Sequence, residues 1–119
     1  MGAIITELMQ VDPDTGVMNR NQVRLWDDSC VPQLEKLARR IHPYGCKIFV
    51  QLQHPGNVAK PQNLRVTPPV SASDVSNLIY QQPIRPMTVE EIHTLTDRFA
   101  QAALRVKQAG IDGGGLTKL

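Results

Sequence analysis

The chain has 119 residues, 41% of them hydrophobic, and a formal net charge of +2 from 13 basic and 11 acidic residues. This length and apolar content are typical of one folded domain with its own core and argue against disorder. The charges form no run of one sign, and no apolar run approaches the roughly 20 residues that cross a bilayer, so we expect neither a nucleic-acid nor a membrane partner.

The cysteines and the first residues indicate a compartment. Cys30 and Cys46 form no C-x-x-C pair, and the N-terminus shows no basic segment leading into an apolar export signal. We therefore expect a reduced, cytoplasmic protein.

The first third of the chain predicts a strand, a loop and a helix. The short, β-branched segment GAIITE predicts a buried strand, and VDPDTG after it predicts a turn. Among Asp27, Asp28 and Ser29 we place the helix N-cap at Ser29, which makes Pro32 the third helical residue, where its missing N–H is tolerated. Apolar residues then recur on one helical face as far as Ile41.

The segment KIFVQLQH predicts a second strand whose polar residues cluster at its C-terminal end. Residues 55–87 are rich in Pro, Ser, Asn and Gln and show no period, which predicts a long irregular excursion with room for a small hairpin. Loops of this length usually serve a site or cover one.

The clearest element is a second helix. Thr88 and Glu91 form a T-x-x-E capping box, apolar residues between 92 and 106 mark one face, and Gly110 can close the helix. Ile111 begins a third strand, but the three glycines that soon follow have a large conformational-entropy cost and no side chains to pack, so we expect this strand to fail. The alternation of strands and helices predicts an α/β fold with parallel strands and covering helices.

Five segments match a known pattern in order and spacing. They are GAIITE with V-D-P, then L-W-D-D, then KIFVQLQHPG, then R-P-M-T-V-E-E-I, and last FAQAALRVKQAGIDG. Together they resemble the old yellow enzyme and NADH:flavin oxidoreductase family, whose members are FMN-bearing TIM (β/α)8 barrels. The resemblance implies a partial FMN-binding barrel domain over 1–112, from barrel strand two to the start of strand four, and a divergent Gly-rich C-terminal tail over 113–119.

The resemblance implies a flavin contact at the C-terminal ends of the strands, where such barrels carry their chemistry. Gln51 matches the family glutamine that binds the pyrimidine edge of the flavin, and an amide offers both a donor and an acceptor to that edge. From the residues alone, the preferred interpretation of Gln51 is a buried strand-end amide satisfied by neighbouring backbone, and the resemblance favours the flavin contact instead. Gln53 either lines the same mouth or is an ordinary polar residue at the start of the loop, and we interpret His54 as a positioning residue.

Two positions depart from the family pattern. Leu8, which follows the predicted end of the first strand at Glu7, stands where the family places Gly or Ala beside the flavin. Its larger side chain would shift the seat of the cofactor, although a backbone contact would survive. Asn57 stands where the family commonly has Arg, which removes a charge and a bidentate donor. We assign Gln51 and Leu8 as cofactor-binding residues and no catalytic residue or metal ligand.

The resemblance also implies an activity. In the parent family NAD(P)H reduces FMN, and the flavin passes hydride to an activated C=C bond of a small-molecule substrate, as in ene-reductases and dienoyl-CoA reductases. We expect the isolated chain to be inactive, because the family's His-containing substrate pair, its first strand and its phosphate site are missing. The divergent C-terminal tail is compatible with four origins: a truncation, a shifted reading frame, a deliberately shortened domain and a split protein.

The alternative function is non-catalytic. Missing sites and unpaired sheet edges would suit a barrel remnant that forms a homo-oligomer or complements another barrel fragment. An enzyme of different chemistry is disfavoured, because the sequence holds no P-loop, no G-x-G-x-x-G, no metal-spaced His and Cys cluster and no G-x-S-x-G.

Overall fold

The computed structural model of the chain describes residues 2–118. Within them the helices and strands follow in the order β1 (Ala3–Gln10), α1 (Val31–Ile41), β2 (Lys47–His54), β3 (Val70–Ser71), β4 (Arg85–Pro86), α2 (Val89–Gln108) and β5 (Gly113–Lys118). Three of these strands form one parallel sheet in the order β1-β2-β5, and β3 pairs with β4 apart from it. The predicted α/β class with parallel strands is confirmed.

The central strand β2 holds the sheet to the helices, and its predicted bounds are confirmed. Alternate side chains point to opposite faces of a strand, so Ile48, Val50 and Leu52 share one face, and they are at most 1% exposed. They pack in one core with residues of both helices, namely Leu34 and Ala38 of α1 and Ala102 and Val106 of α2. Each large side chain buried in this way stabilises the fold by about 1.5–3 kcal/mol.

The predicted cap of the first helix is wrong. A short 3₁₀ turn, Asp28–Cys30, precedes α1, and its cap is Asp27, whose carboxylate accepts hydrogen bonds from the backbone N–H and the hydroxyl of Ser29. Pro32 is therefore the second residue of α1 and not the third. The error arises because the 3₁₀ turn moves the first unpaired N–H groups toward the N-terminus.

The capping box of the second helix is confirmed. The Thr88 hydroxyl oxygen accepts from the Glu91 backbone N–H at 3.1 Å, and the Glu91 carboxylate accepts from the Thr88 N–H at 2.9 Å. At the other end Gly110 has φ +75°, the left-handed conformation that glycine adopts without a steric cost.

The first strand differs from its prediction in length and in burial. β1 continues three residues beyond Glu7 to Gln10, so Leu8 lies inside the strand. The strand was expected to be buried, yet Ile5 is 67% exposed, and burial begins only at Met9. The reason is that β1 lies at the edge of the described sheet, where most of its length has no covering layer.

The long excursion contains no hairpin. Val70–Ser71 and Arg85–Pro86 pair in parallel, so the chain returns in the same direction after a wide loop. Backbone hydrogen bonds from Arg85 to Pro69 and from Met87 to Ser71, at 3.0 and 2.9 Å, hold this pairing.

The third strand forms, contrary to the prediction that it fails. Residues Gly113–Lys118 continue the ladder of β2 in register, from Phe49 opposite Gly113 to His54 opposite Lys118. A Cβ on Gly113 would lie 3.0 Å from Cδ1 of Phe49, so the absence of a side chain lets the strand approach that ring. The low strand propensity of the three glycines is overcome because pairing with the buried strand β2 outweighs their conformational-entropy cost.

Neither helix in residues 2–118 is long and apolar enough to span a bilayer.

Candidate functional site

The face of the sheet that lies opposite the helices carries the predicted cofactor residues. Across the three strands, Leu8, Gln51 and Gly115 form one rung, and the next rung toward the C-terminal ends is Gln10, Gln53 and Thr117. Because all three strands run parallel, these two neighbouring rungs lie together toward the C-terminal ends of the strands. The structure thus brings the two predicted positions, Leu8 and Gln51, side by side.

The amide of Gln51 is held in one orientation. Its Nε2 donates to the carbonyl oxygen of Thr6 at 2.6 Å, and its Oε1 accepts from the Thr117 hydroxyl at 3.3 Å. The Thr6 carbonyl is free for this role because the register of β1 shifts between Ile5 and Leu8. A primary amide has two donor hydrogens and two lone pairs, so each atom keeps one unused position. The half-buried side chain therefore combines a backbone bond with capacity for a ligand.

Leu8 is half-buried directly opposite Gln51. The residue was expected to follow the strand, and it lies within it instead, because β1 continues to Gln10. Its side chain belongs to the same face as the Gln51 amide, so it can limit how closely a planar ligand approaches that amide.

The second rung holds two fully buried amides. Gln10 and Gln53 are both 0% exposed, and their side chains lie on the face that Gln51 occupies. Nε2 of Gln10 donates to the carbonyl of Asn19 at 2.7 Å, and Nε2 of Gln53 lies 3.4 Å from the sulfur of Met18. Within residues 2–118 nothing donates to Oε1 of either amide. A buried acceptor without a donor is costly, so these two oxygens are suited to meet a donor from a ligand or from water.

His54 lies in a polar cluster on the helix side of the sheet. Its Nε2 is 3.0 Å from the Thr15 hydroxyl and 3.4 Å from the Asp12 carboxylate, and its Nδ1 accepts from the Gly56 N–H at 3.0 Å. Since Nδ1 accepts, the proton of a neutral ring resides on Nε2 and is directed to Asp12 and Thr15. His54 is only 5% exposed, and its ring faces away from Gln51. It therefore holds the end of β2 in place and does not contact the face of the sheet that carries Gln51.

Asp12 is the centre of this cluster. Its carboxylate accepts from the backbone N–H groups of Asp14 and Thr15 at 2.9 and 3.3 Å, and it also binds the guanidinium of Arg98 on α2. Burial by itself would raise the pKa of Asp12, but the hydrogen bonds from His54, Thr15 and Asp14 and the charge of Arg98 outweigh it and hold the pKa well below its usual range.

Sequence reasoning missed this cluster. The D-x-D-T spacing is a signal for a turn in which the first carboxylate accepts from the backbone, but no spacing relates Asp12 to Arg98, which lies 86 residues along the chain. Gly16 closes the cluster, because a Cβ there would lie 2.8 Å from both Asp12 Cβ and His54 Cδ2. Asn57 takes no part in it, and its carbonyl accepts from Gln82 at 3.0 Å within the loop after β2.

A second carboxylate organises the opposite end of the sheet. Asp112 accepts from the backbone N–H of Ile48 at 3.0 Å, from Nε2 of His42 at 2.7 Å and from Nζ of Lys47 at 3.1 Å. The hydrogen bond from Ile48, followed by those from His42 and Lys47, lowers the pKa of Asp112. Because these contacts lie at the start of β2, Asp112 fixes the approach to β5 and is distant in register from Gln51.

Comparisons with known proteins place these observations in a family. The family model of the NADH:flavin oxidoreductase / NADH oxidase family matches residues 1–114. The chain is 38% identical over 114 residues to an NADH oxidase of Thermoanaerobacter brockii, a match that covers 95% of this chain and 17% of that protein. It is 35% identical over 113 residues to a probable NADH-dependent flavin oxidoreductase of Bacillus subtilis, covering 95% of this chain and 30% of that protein.

Solved structures agree on the fold. An old yellow enzyme from Pichia sp. superposes with a TM-score of 0.79 at 23% identity, covering 97% of this chain and 32% of that one. An old yellow enzyme homologue from Zymomonas mobilis gives a TM-score of 0.79 at 25% identity, covering 96% of this chain and 34% of that one. These neighbours are TIM barrels, and the chain spans about a third or less of each of these four proteins.

Proposed function

The chain belongs to the NADH:flavin oxidoreductase / NADH oxidase family, and from that premise we propose that it forms part of the mouth of an FMN-binding TIM barrel whose reductant is NAD(P)H. The observation that carries this proposal is the Gln51 amide, which is fixed by Thr6 in the C-terminal half of the central parallel strand and keeps a free donor and a free acceptor position. When bound, FMN would accept hydride from NAD(P)H and deliver it to an activated C=C bond such as that of an enone, enoate or enoyl thioester.

The residues present fit the pyrimidine edge of a flavin, which offers both carbonyl oxygens and an N–H. Gln51 would hold that edge through its remaining N–H and lone pair, and its orientation would not need to change, because Thr6 and Thr117 already set it. The donor-free Oε1 of Gln53 on the next rung adds an acceptor at the same edge of the sheet. Leu8 would contact the ring through its backbone, while its side chain sets how far the ring stands from β1.

The test is a titration of the purified chain with FMN. We expect a shift of the flavin absorbance on binding, and we expect Gln51→Ala to weaken binding about tenfold, since a hydrogen bond that leaves a partner unmet costs about 1.4 kcal/mol. Gln101→Ala, an exposed glutamine on α2, is the matched control and should bind as the parent chain does. No spectral change at about 1 mM FMN, or equal binding by the Gln51 and Gln101 variants, would contradict the site.

A second, non-catalytic function is supported by the edges of the sheet. Within residues 2–118, β5 pairs on one side only, and the hydrophobic side chains of Ile5 and Leu116 are 67% and 75% exposed. Such surfaces favour association with a second copy or with a complementary barrel fragment. Light scattering separates the two functions, because a stable monomer that binds FMN would argue against association, and an assembly without flavin would argue for it.

A further inference from the structure

A cavity of about 190 Å³ beside the carboxyl end of β1 has no role in the function proposed above. Its polar and aromatic lining residues are Gln10, Arg20, Arg24, Trp26, Asn63 and Arg65. We call it the arginine cavity. Gln10 follows Leu8 by two residues on the same face of β1, so this cavity adjoins the rungs that carry Gln51.

The charge of the arginine cavity has one sign. Three guanidinium side chains line it, and no carboxylate does. The carboxylate nearest to Arg65 is that of Asp14, at 3.8 Å, and Asp14 is bound more closely, at 2.7 Å, by Arg98. Arg65 is thus only loosely paired, and Asp27 acts on Arg24 from outside the lining, so the cavity keeps a net positive charge that favours an anionic ligand.

Two of the guanidinium groups are held by contacts that leave most of their donors free. Arg20 donates from one Nη atom to the carbonyl of Gln62 at 2.9 Å, and Arg24 lies over the ring of Trp26 at 5.6 Å from its centroid. A guanidinium has five N–H donors in a planar fork, so both can still bind the oxygens of a phosphate.

One residue of the lining also carries an acceptor that needs a donor. Gln10 is fully buried, its Nε2 is used by the Asn19 carbonyl, and no group in the described part of the chain donates to its Oε1. An anion without an O–H group, such as sulfate, would satisfy the arginines and leave this oxygen unmet. A ligand with a hydroxyl group next to its anionic group would satisfy both.

From these observations we propose that the arginine cavity binds a phosphomonoester of a hydroxyl-bearing molecule. The ligand that fits the position of the cavity is the phosphorylated ribose of NADPH, because the cavity and the candidate flavin site both lie toward the C-terminal ends of the strands. Naming NADPH rests on the proposed function, whereas the phosphate chemistry of the cavity does not. A phosphorylated small-molecule substrate has the same chemistry and is the other source.

The chain contains a probe of this cavity, because Trp26 is its single tryptophan. Trp26 fluorescence would be followed while the purified chain is titrated with 2′,5′-ADP, 5′-AMP and glucose 6-phosphate in separate experiments. Arg20→Gln and Arg65→Gln remove one charge each, and Arg39→Gln, an 80% exposed side chain on α1, is the control. Circular dichroism would verify that each variant is folded.

We expect 2′,5′-ADP to bind more tightly than 5′-AMP and glucose 6-phosphate, and Arg20→Gln and Arg65→Gln each to weaken it about tenfold. The control should be unchanged, and added salt should weaken binding because the arginines are exposed. Tighter binding of glucose 6-phosphate would retain the phosphate site and reassign its source to a substrate. No response at about 1 mM of any phosphate, or equal affinity of the Arg20 and Arg39 variants, would overturn the proposal.

The outcome is separable from that of the flavin proposal. FMN is itself a phosphomonoester, so its absorbance titration would be repeated with Arg20→Gln, and FMN uptake should be unchanged if the flavin sits on Gln51. Binding of 2′,5′-ADP without FMN uptake would support the arginine cavity and count against the flavin site. FMN uptake that is lost in Arg20→Gln would show that the cavity holds the flavin phosphate and would overturn the assignment to NADPH.

Discussion

Replacing Asp12 by Asn removes the charge that joins the turn after β1 to α2 and to the end of β2. The Asp12 side chain is 3% exposed and Arg98 is 31% exposed, so the pair is partly shielded from water. Breaking a buried, hydrogen-bonded charge pair costs about 3–5 kcal/mol, and the partial exposure of Arg98 places this case at the lower end, about 3 kcal/mol. Asn can still accept one hydrogen bond, but it cannot meet His54, Thr15 and Arg98 together.

The assay is urea unfolding followed by circular dichroism, with the slope of the transition compared between parent and variant. Asp28→Asn is the matched control, because Asp28 also pairs with an arginine, Arg105, at 2.7 Å, yet its side chain is 85% exposed. The Asp28 carboxylate keeps its water, although Arg105 is only 15% exposed, so we expect this control to lose about 1 kcal/mol or less. If Asp12→Asn lowered the free energy of unfolding by less than about 1 kcal/mol, or by no more than Asp28→Asn does, burial would not be the reason why the Asp12 ion pair stabilises the fold.

The same variant has a defined effect on acid stability. The pKa of Asp12 is lower in the folded chain than its ordinary value of 3.8, so its carboxylate stabilises the fold above that pH. This stabilisation is lost as the pH falls through the lower, folded-state pKa. We therefore expect the unfolding free energy of Asp12→Asn to fall less steeply below about pH 4 than that of the parent chain.

Two further predictions concern α2 and β5. Hydrogen bonds from Arg85, and then from the Thr88 backbone, lower the pKa of Glu91 from 4.5 to about 2. The Glu91 carboxylate therefore stabilises the fold above pH 4.5, and this stabilisation, about 1 kcal/mol after reduction for solvent screening, is lost between about pH 4.5 and 2. In Glu91→Gln this part of the acid-induced loss of stability should be absent. Acid titration of unfolding measures this loss, and identical acid profiles would contradict it. On β5, Gly113→Ala should destabilise the chain by about 1 kcal/mol more than Gly115→Ala, because its Cβ would lie 3.0 Å from the Phe49 ring whereas the Cβ at residue 115 meets open space. Urea midpoints that are equal for the two variants would refute this packing argument.

Local patterns predicted several elements well, and long-range contacts decided those that failed. The bounds of β2 and the capping box of Thr88 and Glu91 follow from residues that are adjacent or one turn apart, and the structure confirms them. The prediction that no strand would form at Gly113 rested on propensity alone, and a propensity scale takes no account of the partner strand. The misplaced cap at Ser29 shows that even a local signal is ambiguous when three neighbouring side chains can all accept.

The site divides in the same way. The position of Gln51 at the polar end of a strand was evident from the sequence, but the bond from its amide to Thr6 depends on a register shift in β1 that no spacing predicts. The convergence of Arg20 and Arg24 with Arg65 on one cavity was also invisible, because they belong to two loops far apart along the chain and carry no periodic signal.

By itself, the sequence determined the class of fold, the order of the two helices and the first two strands, and the family, because these depend on periodicity, caps and motif spacing along the chain. Tertiary structure alone decided that Gly113–Lys118 is a strand and that Asp12 meets Arg98 and His54. The physical reason is that strand ladders and buried charge networks derive their stability from partners distant in sequence, whose proximity exists only once the sheet and its helices have packed.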